Sequence, residues 1–157
     1  MNQHTASNLH KEDVLQEHLI EQLVSTQEFE RRVGSEKSRT YESEIHFDRS
    51  LAMDRELVLR FLKGTQAGAW EKLEQHYTGS AEDVFFKQLD RALKDRGLLD
   101  VLRQGIKIVP GIPFVLCYFR PASALEPKRI AEYEANILSV MDEVAYSEKN
   151  GNRIDVV

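Results

Sequence analysis

The chain has little of what several common protein classes require. Its only cysteine, Cys117, lies in an apolar run and is predicted to be a small buried hydrophobe. One cysteine permits no internal disulfide, so a reducing, cytoplasmic setting is expected. No apolar stretch approaches the roughly 20 residues of a membrane span, and the polar N-terminus lacks the apolar core of a secretory signal. The sequence therefore predicts no membrane partner.

Several catalytic motifs are also missing, and acidic residues outnumber basic ones. Residues 63–68 do not match the phosphate-binding loop GxxxxGK(S/T), because the lysine that would reach the phosphates is missing after the glycine. No GxGxxG motif occurs either. The five histidines are scattered without an HExxH pair or cysteine partners, which argues against zinc. Twenty-one Lys+Arg face 26 Asp+Glu, which gives a net charge of −5. This acidity excludes polyanion binding over the whole surface but is compatible with a local basic groove.

What is present is a chain long enough to bury a core without disulfides or metal. After a polar arm over residues 1–10, helical spacing over residues 11–25 predicts an amphipathic helix with Val14, Leu15 and Leu19 on its apolar face. Residues 28–50 are charged and serine-rich, so short extended pieces and loops are expected there.

Helix-capping residues and glycines that end helices predict that the middle of the chain is helical. The residues that carry this prediction are Asp54 as a cap, Gly64 as a stop, Ser80 as a cap, and Gly97 and Gly105 as stops. Apolar residues at helical spacing fill the intervals between them, with aromatic side chains among them. We therefore expect several short helices between residues 54 and 105.

Strands are predicted late in the chain. Residues 106–109, Pro110-Gly111 and the apolar run over residues 112–119 indicate extended chain that forms one buried strand, and Pro127 suits the first turn of a further helix. Alternation from Leu138 predicts a second strand, and an Asn-Gly turn at residues 150–151 returns the chain as a third over residues 153–157. The predicted fold class is α+β, with a helix-rich first part and late strands that form part of a mixed sheet.

Carboxylates are the remaining candidates for chemistry. Asp155 has apolar neighbours on a predicted strand, where an ionised carboxylate needs a partner or a cation. It is either a ligand for Mg²⁺ or an acid paired with Arg153 or a backbone amide. Glu17 and Glu21 are one helical turn apart, so both lie on one face of the first helix. That face is either catalytic or simply solvated.

The order of several segments carries a family resemblance. The segments are residues 17–23, 61–66 with 70–73, 102–107, 119–123, 133–136 and 146–157. In this order they resemble the N-terminal region of the restriction (R) subunit of type I restriction-modification enzymes. Each segment alone is weak evidence for the family, whereas six segments in the same order are specific to it. The resemblance covers residues 12–157.

The resemblance implies a nuclease domain of the PD-(D/E)xK type, a mixed sheet flanked by helices, followed by an ATP-driven DNA-translocating motor. Residues 11–157 would be part of that nuclease domain, which continues beyond the chain in the parent protein. Asp155 matches the first metal-binding aspartate, which holds Mg²⁺ in the complete domain. The helix-borne glutamate matches Glu17, with Glu21 as its competitor. The second acid and the lysine, as Glu-x-Lys, come on the next strand, so the chain alone is expected not to cut DNA.

The implied activity is cleavage of DNA phosphodiesters after ATP-driven translocation, with ATP bound by the motor and not by this chain. The implied partners are DNA and the modification (methyltransferase) and specificity subunits. One departure is visible: the family tends to have Arg-Gln where this chain has Asp142 and Glu143, so the local charge is reversed. The alternative is a non-catalytic docking module in which residues 54–105 bind motor or methyltransferase subunits. Trp70 and Tyr77 are its aromatic contacts unless they pack in the core.

Overall fold

The computed structural model describes residues 3–34, 44–123, 125–145 and 153–156. The elements in chain order are α1 (Gln3–Thr26), β1 (Glu30–Val33), β2 (Phe47–Asp48), β3 (Met53–Asp54), α2 (Arg55–Thr65), α3 (Ala67–His76), α4 (Ala81–Arg96), α5 (Leu98–Gln104), β4 (Ile106–Ile108), β5 (Ile112–Phe114), α6 (Pro127–Glu134), β6 (Ser139–Ala145) and β7 (Arg153–Val156). This confirms the α+β fold class. None of the described helices is long and apolar enough to cross a membrane.

The chain divides into two compact units. The first unit comprises Met1–Arg55 and Ile137–Val157, and the second comprises Glu56–Asn136. The helices of the middle region all belong to the second unit, apart from the first residue of α2, whereas the mixed sheet belongs to the first. The assignment of residues 11–157 to one nuclease-like domain stays a prediction.

The first unit is built on a three-stranded mixed sheet with the order β1-β6-β7. The central strand β6 pairs in parallel with β1 and antiparallel with β7, where Val144 lies opposite Ile154. The two late strands are thus confirmed, and the predicted turn at residues 150–151 lies outside the described residues. Gly34 follows β1 so closely that a Cβ there would lie 2.7 Å from Cγ2 of Val144 and 2.9 Å from the carbonyl oxygen of Asp142. Any larger residue would push the end of β1 away from β6.

Helix α1 packs against the sheet through a different face from the one predicted. Ile20 is 1% exposed, whereas Val14, Leu15 and Leu19 are exposed. The predicted face is wrong because apolar residues occur on more than one side of this helix, so spacing alone does not select the side that packs on the sheet. Glu17, three residues before Ile20, pairs with Arg31 of β1. The helix also begins at Gln3, so residues 3–10 of the expected polar arm are helical.

The second unit confirms the predicted run of helices with two differences at their ends. Helix α2 continues through Gly64 to Thr65, and Ser80 precedes α4 without forming a side-chain capping hydrogen bond. Gly97 and Gly105 do end α4 and α5, with φ of 81° and 64°. Glycine is favoured at both positions because other residues pay for a positive φ.

An aromatic cluster forms the core of the second unit. The rings of Trp70, Phe85 and Phe114 contact each other pairwise, with centroids 5.3 to 6.1 Å apart. All three side chains are buried. Tilted and edge-to-face geometries of this kind add to the free energy of area burial. Trp70 is therefore a core residue and not a surface docking contact. Core packing was the second of the two possibilities that the sequence left open for it.

The apolar run after α5 folds into a hairpin and not into the single strand that was predicted. β4 and β5 pair antiparallel, with Ile106 opposite Phe114, and the N–H of Gly111 donates to the carbonyl oxygen of Ile108 at 2.7 Å. The prediction was wrong because it treated Pro110-Gly111 as part of the extended chain, although this dipeptide is a turn signal and lies in the turn over residues 109–111. Strand β5 ends at Phe114, and residues 115–122 continue without strand structure; we call them the 115–122 segment.

Candidate functional site

The predicted catalytic glutamate Glu17 is held by an arginine of the sheet. Nη1 of Arg31 donates to Oε1 of Glu17 at 2.6 Å, and Nη2 donates to Oε2 at 2.8 Å. Nη2 also donates to Oδ2 of Asp142 at 3.3 Å. One guanidinium thus joins the consecutive elements α1 and β1 to β6, and its two acidic partners lie 14 and 111 residues away from it. A bidentate arginine–carboxylate pair is among the strongest hydrogen-bonded geometries available to a protein.

This arginine controls the ionisation of the cluster. Its hydrogen bonds hold the pKa of Glu17 below the usual value, although partial burial acts in the opposite direction. The same contacts raise the pKa of Arg31. Asp142 is one of the two acids that depart from the family pattern, and it supplies the acidic contact on β6. The reversed charge is therefore compensated within the chain by Arg31.

Glu21 lies in a different environment from Glu17. It is exposed and makes no hydrogen bond or ion pair with any residue that the structure describes. The structure therefore separates the two predicted helix acids: Glu17 faces the sheet, while Glu21 faces solvent. The catalytic role of either residue stays a prediction.

Asp155 lies in β7, next to the central strand of the sheet, as predicted. Its side chain lies outside what the structure describes, so the choice between a metal ligand and a paired acid stays open. Among the described residues, no group of three or more His, Cys, Asp or Glu side chains could hold a metal ion. Both oxygens of Glu17 are already engaged by Arg31. Mg²⁺ binding by Asp155, with or without Glu17, stays a prediction.

A second arginine of β1 makes a buried ion pair that sequence reasoning missed. Nε of Arg32 donates to Oδ2 of Asp54 at 2.8 Å, and the two side chains are only 11% and 5% exposed. Asp54 lies directly before α2, where the pattern predicted a helix cap. Arg31 and Arg32 thus bind acids in different elements. The alternation of side chains along a strand places neighbouring residues on opposite faces, and a run of two arginines is the only local signal for this arrangement.

In the second unit, two amide side chains hold the 115–122 segment. The N–H of Val115 donates to Oε1 of Gln66 at 2.8 Å, and Nε2 of Gln66 donates to the Val115 carbonyl oxygen at 2.8 Å. The N–H of Tyr118 donates to Oδ1 of Asn136 at 3.0 Å, and Nδ2 of Asn136 donates to the Tyr118 carbonyl oxygen at 2.7 Å. Each amide thus satisfies both polar groups of one backbone residue, as a neighbouring strand would.

A cavity of about 270 Å³ lies between the 115–122 segment and α6. It is lined by Cys117, Tyr118, Phe119, Arg120, Pro121 and Ala122 from the segment and by Arg129 and Glu132 from the helix. Cys117 is half-buried, and burial raises the pKa of its thiol. The thiol is therefore neutral near pH 7 and a weak nucleophile.

The 115–122 segment is held by residues that the sequence treated separately. Gln66 and Asn136 belong to different segments of the family resemblance from Phe119 and Arg120, and both bind the backbone of the 115–122 segment, although neither lines the cavity. Nothing in local periodicity could have shown this, because the amide–backbone pairs join residues 49 and 18 positions apart. Position within the resembling segments was the available signal.

Comparisons with protein-family models, with curated proteins and with solved structures found no match.

Proposed function

We propose that the chain is the N-terminal part of a type I restriction R subunit. The complete protein would cleave DNA phosphodiesters after ATP-driven translocation, together with its modification and specificity subunits. The observation that supports this proposal is the first unit. Helix α1, which bears Glu17 and Glu21, packs on a mixed sheet whose strand β7 bears Asp155. This is the arrangement of helix and sheet that the resemblance implies.

The sheet order adds a second argument. In the described residues β7 pairs with β6 on one side and with no strand on the other. The resemblance assigns Glu-x-Lys to the strand that follows Asp155 in the parent, and the open side of β7 is where such a strand can pair. Without those groups the chain does not hold a complete nuclease site, so we expect no cleavage by the isolated chain.

Plasmid cleavage tests the proposal. The protein as encoded, with its modification and specificity subunits, ATP and Mg²⁺, is expected to linearise DNA that carries unmethylated sites. Asp155→Asn should abolish cleavage, while Glu71→Gln, which changes an exposed glutamate of α3, should leave it intact. Residues 1–157 alone should not nick supercoiled plasmid in Mg²⁺. Full cleavage by the Asp155→Asn protein would contradict the proposal, as would a reading frame that lacks Glu-x-Lys after this region.

The alternative is a docking module without catalysis, and one observation favours it. Helix α5 exposes two adjacent leucines, Leu98 at 60% and Leu99 at 68%. Trp70, the aromatic contact that the sequence suggested, is buried and cannot serve. Calorimetric titration of residues 1–157 with the modification subunit would support docking if it gave saturable binding that Leu99→Glu removes and Lys87→Glu does not.

A further inference from the structure

The cavity in the second unit is held open by contacts that do not involve a ligand. Gln66 fixes the backbone at Val115, and Asn136 fixes it at Tyr118. The ring of Tyr118 also packs against Phe61 of α2, with the centroids 5.6 Å apart. Phe119 and Arg120 therefore directly follow a residue whose backbone and ring are held in place. A ligand that binds here does not have to order the backbone at Tyr118 first, which favours affinity.

Of the two arginines that line the cavity, one has no partner among the residues that the structure describes. Arg120 makes no hydrogen bond or ion pair with any residue that the structure describes. The other arginine at the cavity, Arg129, binds Glu126, with Nε 3.0 Å from Oε2. Glu132 adds a carboxylate to the same wall. An unpaired guanidinium is a fork of donors that matches a phosphate or carboxylate oxygen pair. The nearby carboxylates disfavour a ligand with several negative charges.

The cavity also presents an aromatic ring to solvent. Phe119 is 58% exposed although it is a large apolar side chain beside a buried core. Aromatic rings placed beside cationic groups are the usual means by which proteins hold unpaired nucleotides, because every base has a face that can stack. A volume of about 270 Å³ is just below the roughly 300–1,000 Å³ of typical small-molecule pockets, so it suits one such unit and not an extended cofactor.

We propose that this cavity binds a single nucleotide that carries one phosphate, with the base against Phe119 and the phosphate on Arg120. The site goes beyond the proposed nuclease function, because it lies in the second unit and uses none of the predicted catalytic acids. The nucleotide comes either from a free nucleoside monophosphate or from the end of a single DNA strand. Both sources share the chemistry that the cavity recognises.

Direct binding tests the proposal with three probes: thymidine 5′-monophosphate, a 5′-phosphorylated oligothymidylate, and inorganic phosphate alone. We expect one or both nucleotide probes to bind and inorganic phosphate to bind at least tenfold more weakly. Loss of a stacked base typically weakens binding by about tenfold, so Phe119→Ala should do so. Arg120→Ala should cause a similar loss. One contacted phosphate of a single strand gives a slope of about −0.7 in log affinity against log salt, and the Arg120→Ala protein should lose it.

Arg103→Ala is the matched control. Arg103 lies in the same unit, is exposed, and makes no hydrogen bond or ion pair with a described residue, so it removes the same charge at a distance from the cavity. Binding to this variant should equal that of the unmodified chain. Because Phe119 and Arg120 are exposed, their variants should keep the fluorescence of Trp70, the only tryptophan.

Cys117 supplies a readout independent of affinity. It lines the cavity and is the only cysteine, so its rate of reaction with a thiol reagent reports on access to this site. Nucleotide at a concentration that just saturates the unmodified chain should slow that reaction several-fold, and Arg120→Ala should need about tenfold more nucleotide for the same protection.

Four results would overturn the proposal. They are no nucleotide binding at millimolar concentration, equal binding of inorganic phosphate, equal weakening by Arg103→Ala, or binding that leaves Cys117 unprotected. Preference for a peptide that carries a free carboxylate over both nucleotide probes would likewise count against it. Stronger binding of the oligonucleotide would identify a DNA strand as the source, and equal binding would identify the mononucleotide. Plasmid cleavage in the earlier test depends on Asp155, so failure of one proposal leaves the other standing.

Discussion

The two units of the molecule are stabilised by different interactions. In the first, charged side chains join elements that are distant in sequence: Arg31 binds Glu17 and Asp142, and Arg32 binds Asp54. In the second, an aromatic core and two neutral amide side chains join the elements, and Gln66 and Asn136 form hydrogen bonds with backbone groups. Charge pairs respond to pH and salt, whereas neutral amides and apolar packing respond little. The units should therefore be distinguishable by the conditions that weaken them.

The largest effect is expected in the aromatic core of the second unit. Phe114→Ala removes a ring that is 1% exposed and contacts both Trp70 and Phe85. Loss of a buried phenylalanine typically lowers the free energy of unfolding by about 3–5 kcal/mol. Urea unfolding followed by Trp70 fluorescence measures this loss, and it should not vary between low and high salt. Leu99→Ala, at an exposed site, should change the unfolding free energy by less than about 0.5 kcal/mol.

The buried ion pair of the first unit should come next. Arg32→Met removes the guanidinium that faces Asp54, and breaking a buried pair from one side costs about 3 kcal/mol. Hydrogen exchange at the amides of β1 and β6 measures the loss. Arg49→Met is the control, because Arg49 is exposed and binds no described residue. Equal exchange rates in both variants would show that the Arg32–Asp54 ion pair does not add to the stability of the first unit.

The amide contacts should contribute less than either. Asn136→Leu removes the partner of both the N–H and the carbonyl of Tyr118, together with a bond to the carbonyl of Tyr133. Leaving part-buried polar groups without partners costs about 1–3 kcal/mol. The thiol of Cys117 should also react faster, because the 115–122 segment loses an anchor. If Gln75→Leu, at an exposed site of α3, accelerates the thiol equally, the anchoring role of Asn136 is wrong.

The smallest effect should be that of the exposed pair. Glu17→Gln weakens a bidentate pair whose side chains are nearly half exposed, so less than about 1 kcal/mol is expected. The folded-state pKa of Glu17 lies below its ordinary value of 4.5. Its contribution is therefore fully present above pH 4.5 and is lost as the pH falls through the lowered pKa.

Urea midpoints at pH 7 and at pH 3 measure this change. The difference between the unmodified chain and Glu17→Gln should shrink at the lower pH and in high salt. Glu21→Gln, one turn further along α1, should show no difference at either pH. A difference that grows toward pH 3 would contradict the lowered pKa of Glu17.

Local patterns predicted what local interactions determine. Helices α2 to α5 were predicted because helical periodicity and glycine stops act within a few residues. The single strand predicted over residues 106–119 is a hairpin, because the turn signal of Pro110-Gly111 was given less weight than the apolar residues on either side of it. The buried face of α1 was missed for another reason: apolar residues lie on more than one side of the helix, so their spacing does not select the side that packs on the sheet.

The candidate sites show the same division. Asp155 could be placed on its strand, and Glu17 and Glu21 on their helix, from spacing alone. The partners Arg31 and Asp142 lie 111 residues apart, so no local rule could join them. The sequence marked Asp142 only as a departure from a family pattern. Its pairing with Arg31 required the fold.

The amide side chains of the second unit have one more consequence, for self-association. A strand-like segment with free N–H and carbonyl groups is a template on which a second chain can add. In the 115–122 segment, Gln66 and Asn136 already occupy both polar groups of Val115 and of Tyr118. These two side chains therefore protect the backbone at Val115 and Tyr118. A strand of a second chain cannot form hydrogen bonds with the N–H and carbonyl groups that the amides already occupy, so intermolecular strand addition is not expected to begin there.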